Sequence, residues 1–407
     1  MKVIDGGVTA AKGFKAASTA AGIKYKDRKD MLLIYSDSPC TSAGVFTSNV
    51  VKAAPVMWDK AIVDDIDAVH AIVGNSGIAN ACTGKEGEDI CIKTAGYVAS
   101  LLDIPEKSVL VASTGVIGMQ MNMDPIRKGI DKMVTELDDT IEAGAGAAKA
   151  IMTTDTHSKE MAVQFDISGT TCTMGALAKG SGMIHPNMCT MLSFITTDVA
   201  ISHDLLRKAL KKVVVDTFNM ISVDGDMSTN DSLMIIANGE AGNKEIITED
   251  DDYKCFEDAL FTICREMAKK LAGDGEGATA LFTAHVYNAQ TKEDARTLAK
   301  SVICSSLTKA MIYGHDANFG RILCALGYSG ADFDPNKIEL SIESSKGSVL
   351  LYKNGNPLEF DEDYATAILS EKEVIANVNM NAGTEEATAW GCDLTYDYVK
   401  INADYRS

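Results

Sequence analysis

The chain has 407 residues, 46% of them hydrophobic and 23% charged, which is typical of a folded globular protein large enough for two domains. Its formal net charge of −19 repels phosphate backbones and anionic lipid, which argues against nucleic-acid binding through a broad basic surface. The ten cysteines include no CxxC pair, which argues against a zinc ribbon or a thioredoxin-like site and fits a reducing cytoplasm. No signal peptide and no membrane-spanning helix are expected.

The apolar pattern predicts alternating strands and helices through the first half of the chain. Short apolar runs bounded by glycine, asparagine or serine indicate buried strands, and apolar residues three or four positions apart indicate helices. The predicted elements are strands at residues 67–76, 108–115 and 191–196, a hairpin at 161–180 that turns at Ser168 and Gly169, and helices at 86–102 and 204–221.

Two capping signals predict helices further along. Thr248 is expected to cap a long helix, and Thr291 with Asp294 forms a capping box that opens a helix ending before Gly314. The other predictions are the apolar helix face Tyr253, Phe256, Leu260, Ile263, Met267 and Leu271, a strand at 281–288, a hairpin with an Asn-Gly turn at 348–360, and a terminal strand at 394–401.

These elements predict an α/β (α+β) fold in which helices cover mixed sheets. The strand-rich portion begins near residue 285. We therefore expect a catalytic domain at residues 1–285 and a C-terminal domain at residues 286–407.

Two glycine-rich loops follow the first two predicted strands. The segment GNSGIANACTG at residues 74–84 matches neither common nucleotide-binding motif, so a structural turn is favoured over an anion site. The segment STGVIG at residues 113–118 ends its strand on Thr114 and Gly115. A hydroxyl and a backbone N–H in this arrangement can stabilise an oxyanion, although many strands end in Thr-Gly.

Two acidic loops alternate carboxylates with glycine. DGDMSTND at residues 224–231 lacks the glycine and glutamate of an EF-hand, so a turn is favoured over a calcium site. In GDGEG at residues 273–277, Glu276 lies between a long helix and a strand, where a side chain can point into a cleft.

Thr190 lies at the junction between the flexible segment GSGMIHPNMC and the apolar strand that follows. The six histidines are scattered, and none forms an evident Ser–His–Asp pattern with a nucleophile. A threonine can use its own α-amine as the base once the preceding peptide bond is cut. A free α-amine has a pKa of about 7.7–8.0, which suits this role near neutral pH.

These motifs together resemble the ornithine acetyltransferase family, also called glutamate N-acetyltransferase, of arginine biosynthesis. The resemblance covers nearly the whole chain and is highly specific because many motifs occur in one order. It is carried by GVFTSN at 44–49, AAPV at 53–56, the loops at 74–84 and 113–118, IMTTDT at 151–156, KGSGMIHPNM at 179–188 running into Thr190, the loops at 224–231 and 273–279, NFGR at 318–321 and INADYRS at 401–407.

The resemblance implies a layered α/β sandwich with a smaller C-terminal domain, made as a precursor that cleaves itself between Cys189 and Thr190. The α chain 1–189 and the β chain 190–407 would assemble as two copies of each. Thr190 would carry acetyl from N2-acetylornithine to glutamate, and Thr114 and Gly115 match the family's oxyanion pair. No metal or cofactor is implied, although acetyl-CoA could serve as a second donor. The implied substrate-binding residues are Thr153, Lys179, Thr190, Glu276, Asn402 and Ser407.

The sequence departs from the family pattern at three positions. Cys189 replaces a frequent alanine, Ile78 a frequent asparagine and Met227 a frequent threonine. Two other functions stay open at this point: an amidase or aminopeptidase of the same self-cleaving type, and a non-catalytic metal- or anion-binding protein built on the acidic and glycine-rich loops.

Overall fold

A computed structural model of the chain describes residues 1–65, 68–185 and 191–403. The described residues form a mixed α/β fold, which confirms the predicted fold class. The strands are β1 Lys2–Ile4, β2 Phe14–Thr19, β3 Met31–Phe46, β4 Val69–Asn75, β5 Val109–Ser113, β6 Lys159–Ile167, β7 Thr170–Lys179, β8 Leu192–Thr197, β9 Ile221–Ser222, β10 Ser232–Ala237, β11 Leu281–Ala289, β12 Glu339–Ser344, β13 Gly347–Lys353, β14 Asn356–Pro357, β15 Glu373–Asn379 and β16 Glu385–Cys392. The helices are α1 Ala54–Val63, α2 Gly84–Leu102, α3 Met123–Thr135, α4 Ile141–Ala150, α5 His203–Val215, α6 Asp251–Gly273, α7 Lys292–Cys304, α8 Ser306–Tyr313, α9 Phe319–Gly327, α10 Glu362–Leu369 and α11 Tyr396–Ala403.

The described residues divide into two compact units that are interleaved in sequence. The first unit comprises residues 1–180, 191–215 and 227–267 within the described ranges, and the second comprises 181–185, 216–226 and 268–403. The predicted domain boundary near residue 285 lies within β11, which belongs to the second unit. Residues 216–226 belong to the second unit although most of that unit comes later in the chain, because β9 pairs in parallel with β16.

The first unit is built on a mixed sheet whose main order is β1-β6-β7-β8-β10-β3-β4-β5, with β2 paired to β3. Alternate residues of its central strands enter different cores, as the two-residue period of a strand requires. On β3, Leu32 and Ile34 pack in one core, whereas Met31 and Leu33 pack in the other. Both faces of the sheet are therefore buried, which explains the continuous apolar runs in the sequence.

The second unit has its own sheet, in the order β14-β13-β12-β15-β11-β16-β9. β11 pairs in parallel with β15 and antiparallel with β16, so this sheet is also mixed. None of the helices in the described ranges is both long enough and apolar enough to span a bilayer.

Most predicted elements are confirmed within a few residues at each end. The hairpin β6–β7 turns at Ser168 and Gly169, whose φ angles of 49° and 85° lie in the left-handed region that such turns use. The Asn-Gly hairpin has the same geometry, since Asn354 and Gly355 have φ angles of 49° and 78°. The six residues predicted to form the apolar face of α6 are all buried.

Two helix predictions were wrong in their extent. The helix predicted at 204–221 ends at Val215, because Ile221 and Ser222 pair with β16 instead. The helix predicted to run from Thr291 to Gly314 is broken at Ser305, whose backbone is extended. The Ser305 hydroxyl accepts from the Thr308 N–H at 3.2 Å and so caps a second helix, α8.

Two further predictions failed because competing local signals decided the structure. Asp250, not Thr248, caps α6, since its Oδ1 accepts from the Tyr253 N–H at 3.2 Å. Residues 394–401 alternate like a strand, but Thr395 accepts from the Tyr398 N–H at 3.3 Å and the segment forms α11.

Candidate active site

The loop after β5 has a backbone that only glycine fits at residue 115. Gly115 has a φ angle of 129°, and a Cβ there would lie 2.3 Å from the backbone carbon of Gly77. The Thr114 N–H donates to Asn75 O at 3.0 Å, and the Val116 N–H donates to Gly77 O at 3.1 Å. The loops that follow β4 and β5 are therefore joined by hydrogen bonds.

Asn230 fixes this pair of loops from a third segment. Its Nδ2 donates to Ser113 O at 2.8 Å and also to Ala79 O. The Ser113 hydroxyl donates to Asn75 Oδ1 at 2.7 Å. The sequence identified these loops separately, and the structure shows that the loop at residues 74–84 supports the one at 113–118.

The Thr114–Gly115 pair has the groups that an oxyanion site needs. The Gly115 N–H donates to no other residue in the described part of the chain. The Thr114 hydroxyl accepts from Lys179 Nζ at 3.4 Å. A backbone N–H, a hydroxyl and a nearby ammonium group can together stabilise a developing negative charge.

Lys179 lies at the end of β7 and is 7% exposed. Its Nζ donates to the Thr153 hydroxyl at 2.8 Å, so three predicted site residues, Thr114, Thr153 and Lys179, lie together in the first unit. Asp155 lies beside them, with its Oδ2 4.0 Å from Lys179 Nζ. No sequence pattern assigned Asp155 a role of its own.

Asp155 is ionised despite its burial. Burial by itself raises the pKa of the Asp155 carboxyl, but the charges of Lys179 and Lys159 outweigh it and hold the pKa below its ordinary value. Lys159 Nζ donates to Asp155 Oδ1 at 2.7 Å, and both side chains are fully buried. The group formed by Asp155, Lys159 and Lys179 has one negative and two positive charges, which favours an anionic ligand.

Glu276 and Asn402 form a second group, in the second unit. Asn402 Nδ2 donates to Glu276 Oε2 at 2.7 Å, and Glu276 is 6% exposed. The Glu276 N–H donates to Ser181 O at 2.9 Å. A Cβ on Gly182 would lie 2.3 Å from the Glu276 carboxyl carbon, so this close approach requires glycine.

Asp224 organises the surroundings of this second group, a role that the acidic loop alone did not reveal. Its carboxylate accepts from the backbone N–H groups of Met183 and Ile184 at 2.6 and 2.9 Å, and from the Tyr398 hydroxyl at 3.3 Å. Burial, followed by the charges of Asp224 and Glu276, raises the pKa of Tyr398. Within the described ranges, no group of three or more His, Cys, Asp or Glu side chains is arranged to hold a metal ion.

Cys189, Thr190 and Ser407 lie outside the described residues, and their predicted roles stay predictions. The described residues that directly follow Thr190 are anchored in the sheet. Leu192, two residues after Thr190, pairs with Lys179, and Met191 O accepts from the Ser232 N–H at 2.8 Å.

The fold is that of an α/β protein in which a buried group of two lysines and one aspartate lies beside the Thr114–Gly115 loop. Comparison with known proteins gives the family. A model described as the ArgJ family matches residues 15–407. The chain is 50% identical over 394 residues to the Arginine biosynthesis bifunctional protein ArgJ 1 of Clostridium acetobutylicum, covering 97% of this chain and 96% of that protein. It is 49% identical over 409 residues to the ArgJ protein of Symbiobacterium thermophilum, covering 100% of both.

Among solved structures, the crystal structure of ornithine acetyltransferase complexed with ornithine from Mycobacterium tuberculosis is 39% identical. The match covers 46% of this chain and 96% of the M. tuberculosis chain, with a TM-score of 0.43. On the sequence matches, the chain belongs to the ArgJ family. The predicted family and the predicted class, an acetyltransferase enzyme of arginine biosynthesis, are thereby confirmed.

Proposed function

We propose that this enzyme transfers an acetyl group from N2-acetylornithine to glutamate through an acetyl ester on Thr190. Ornithine leaves as the ester forms, and the α-amine of glutamate then attacks the ester to give N-acetylglutamate. Full-length similarity to ArgJ proteins supports this reaction, and the M. tuberculosis relative, at 39% identity, is an ornithine acetyltransferase in complex with ornithine. The word bifunctional in the relatives' name supports a second donor, for which we propose acetyl-CoA.

The observation that carries the proposal is the contact of Lys179 Nζ with the hydroxyls of Thr153 and Thr114, beside Gly115. Each acyl transfer passes through a tetrahedral oxyanion, which the Thr114 hydroxyl and the Gly115 N–H would stabilise. A buried ammonium group with hydroxyl neighbours also suits the α-carboxylate of an amino acid, and we assign Lys179 and Thr153 to that contact.

We assign Glu276 and Asn402 to a second set of substrate contacts. A buried carboxylate suits the δ-ammonium group of ornithine, and the Asn402 amide holds that carboxylate in place at 2.7 Å. Ser407 joins this set in the proposal through its place in the family motif at the chain end.

Thr190 becomes a competent nucleophile in this proposal only after the chain is cut before it. Its hydroxyl attacks the Cys189 carbonyl, and the C–N bond breaks as an ester forms, which frees the Thr190 α-amine. Water then hydrolyses the ester, which separates the two chains and frees the Thr190 hydroxyl, and the α-amine acts as its base. We further propose that the α chain 1–189 and the β chain 190–407 stay together, as two copies of each, in the cytoplasm.

A direct assay separates this function from an amidase or aminopeptidase of the same self-cleaving type. The purified enzyme is supplied with glutamate and with either N2-acetylornithine or acetyl-CoA as donor, and the products are measured. N-acetylglutamate formed from acetylornithine supports the proposal, whereas free acetate as the main product supports the hydrolase. The acetyl-CoA reaction decides the second donor, and Thr190→Ala is the control for both.

A further inference from the structure

Asp155 makes four contacts from a side chain that is fully buried. Its Oδ1 accepts from Lys159 Nζ at 2.7 Å and from the Gly180 N–H at 2.7 Å. Its Oδ2 accepts from the Thr153 N–H at 3.0 Å and lies 4.0 Å from Lys179 Nζ. Three of these contacts involve Lys179 or a residue next to it in sequence or in space. One is with Lys179 itself, one is with Gly180, which follows it in the chain, and one is with Thr153, whose hydroxyl accepts from the Lys179 ammonium group.

We propose that Asp155 is a positioning residue that holds Lys179 and Thr153 in the arrangement that binds the substrate carboxylate. This inference rests on the roles proposed above for those two residues. Asp155 fixes Thr153 through its backbone N–H, which places the Thr153 hydroxyl 2.8 Å from Lys179 Nζ. It fixes Lys179 from two sides, through the N–H of the following residue and through the attraction of its ammonium group.

Lys159 explains how Asp155 can do this without cancelling the charge that the substrate needs. A buried carboxylate paired with Lys179 alone would form a neutral pair, with little attraction for an anion. Lys159 is the first residue of β6 and lies opposite Ala178 in the hairpin, which brings a second ammonium group to the same carboxylate. The group therefore keeps one net positive charge while Asp155 retains a buried counter-ion.

The single variant Asp155→Asn removes the carboxylate charge that pairs with buried Lys159 and is expected to destabilise the protein strongly. The test therefore uses Asp155→Asn combined with Lys159→Met, which removes both charges and keeps similar side-chain volumes. We expect this double variant to fold and to cleave itself. Its KM for acetylornithine should rise about tenfold or more while kcat stays within about threefold, as for the loss of one charge-assisted contact.

A second background separates positioning from a purely structural role. If Asp155 acts mainly through Lys179, the same double change in a Lys179→Ala enzyme should cause a much smaller loss in kcat/KM than in the wild-type enzyme. A further loss as large as in the wild-type background would overturn the proposal, and so would a wild-type KM in the double variant. Wild-type kcat/KM in Lys179→Ala alone would instead refute the assigned role of Lys179.

Asp155→Glu keeps the test decisive if the double variant does not fold. Glutamate retains the charge and hence the pairing with Lys159, but its longer side chain cannot keep both backbone contacts. We expect a raised KM that again depends on the presence of Lys179. A wild-type KM in Asp155→Glu would contradict the proposal.

Discussion

Replacing Gly182 by alanine should weaken substrate binding and leave the fold almost unchanged. The new Cβ would lie 2.3 Å from Glu276 Cδ and Oε2 and 2.5 Å from Oε1, whereas ordinary contacts begin at 3.4 Å. The carboxylate must therefore move by about 1 Å, which breaks its 2.7 Å hydrogen bond with Asn402. Because Glu276 is the flexible partner, the strain is relieved by moving the side chain.

The expected effect on activity follows from the loss of one charge-assisted contact. Such a contact contributes about 1.5–3 kcal/mol, which corresponds to a fall in kcat/KM of roughly 10- to 150-fold. Steady-state kinetics with acetylornithine would measure it, and thermal unfolding would check the fold. Gly327→Ala is a matched control, because a Cβ there meets nothing within 4 Å. Wild-type kcat/KM in folded Gly182→Ala would refute the assignment of Glu276 to the substrate.

Three other outcomes are expected. Lys179→Ala and Glu276→Ala should fold but lose roughly tenfold or more in kcat/KM, and wild-type kinetics in either would remove that residue from the site. Deleting residues 402–407 should impair catalysis more than thermal stability, and a normal KM for acetylornithine would contradict this. Asp59→Asn should stabilise the protein near pH 7.5 but not near pH 4. Urea unfolding at both pH values would measure this, and Asp65→Asn, at an exposed position, is the control. An effect of equal size at both pH values would refute the Asp59 prediction.

The sign of the Asp59 effect follows from its surroundings. Burial raises the pKa of the Asp59 carboxyl well above its ordinary value, and the hydrogen bond from the Val111 N–H at 2.7 Å only partly offsets this. Its other oxygen has no hydrogen-bond partner among the described residues. The folded state therefore favours the neutral acid. The contribution of this acid to the free energy of unfolding is fully present below about pH 4, and it is lost as the pH rises through the raised pKa. Asparagine mimics the neutral acid at every pH.

The sequence predicted elements well where one local signal dominated. The turn at Ser168 and Gly169 and the apolar face of α6 depend on local spacing, so both are confirmed. Residues 394–401 failed because alternating apolar residues competed with a threonine cap, and the cap decided the structure. Residues 221–222 leave the helical pattern because β16 pairs with them from far along the chain.

In the candidate site, too, residues in local motifs could be predicted, whereas residues that act through long-range contacts could not. Thr114, Thr153 and Lys179 could be selected from motifs, and the structure brings them together. Asp155 and Asn230 lie inside recognisable motifs, but their importance comes from contacts with distant segments. No spacing rule in one sequence predicts which loops meet, so these two supporting residues required the structure.

The central claim is that Thr190 both cuts the chain and carries the acetyl group. Intact-mass spectrometry after brief incubation with N2-acetylornithine tests it most directly. The wild-type enzyme should show two chains, 1–189 and 190–407, with one added acetyl on the fragment that begins at Thr190. Cys189→Ala should also cleave, because only the carbonyl of that residue reacts, and Thr190→Ser should cleave and retain some activity. Thr190→Ala should remain one inactive chain of full length, so an acetyl group on another residue, or full activity in that uncleaved variant, would contradict the mechanism.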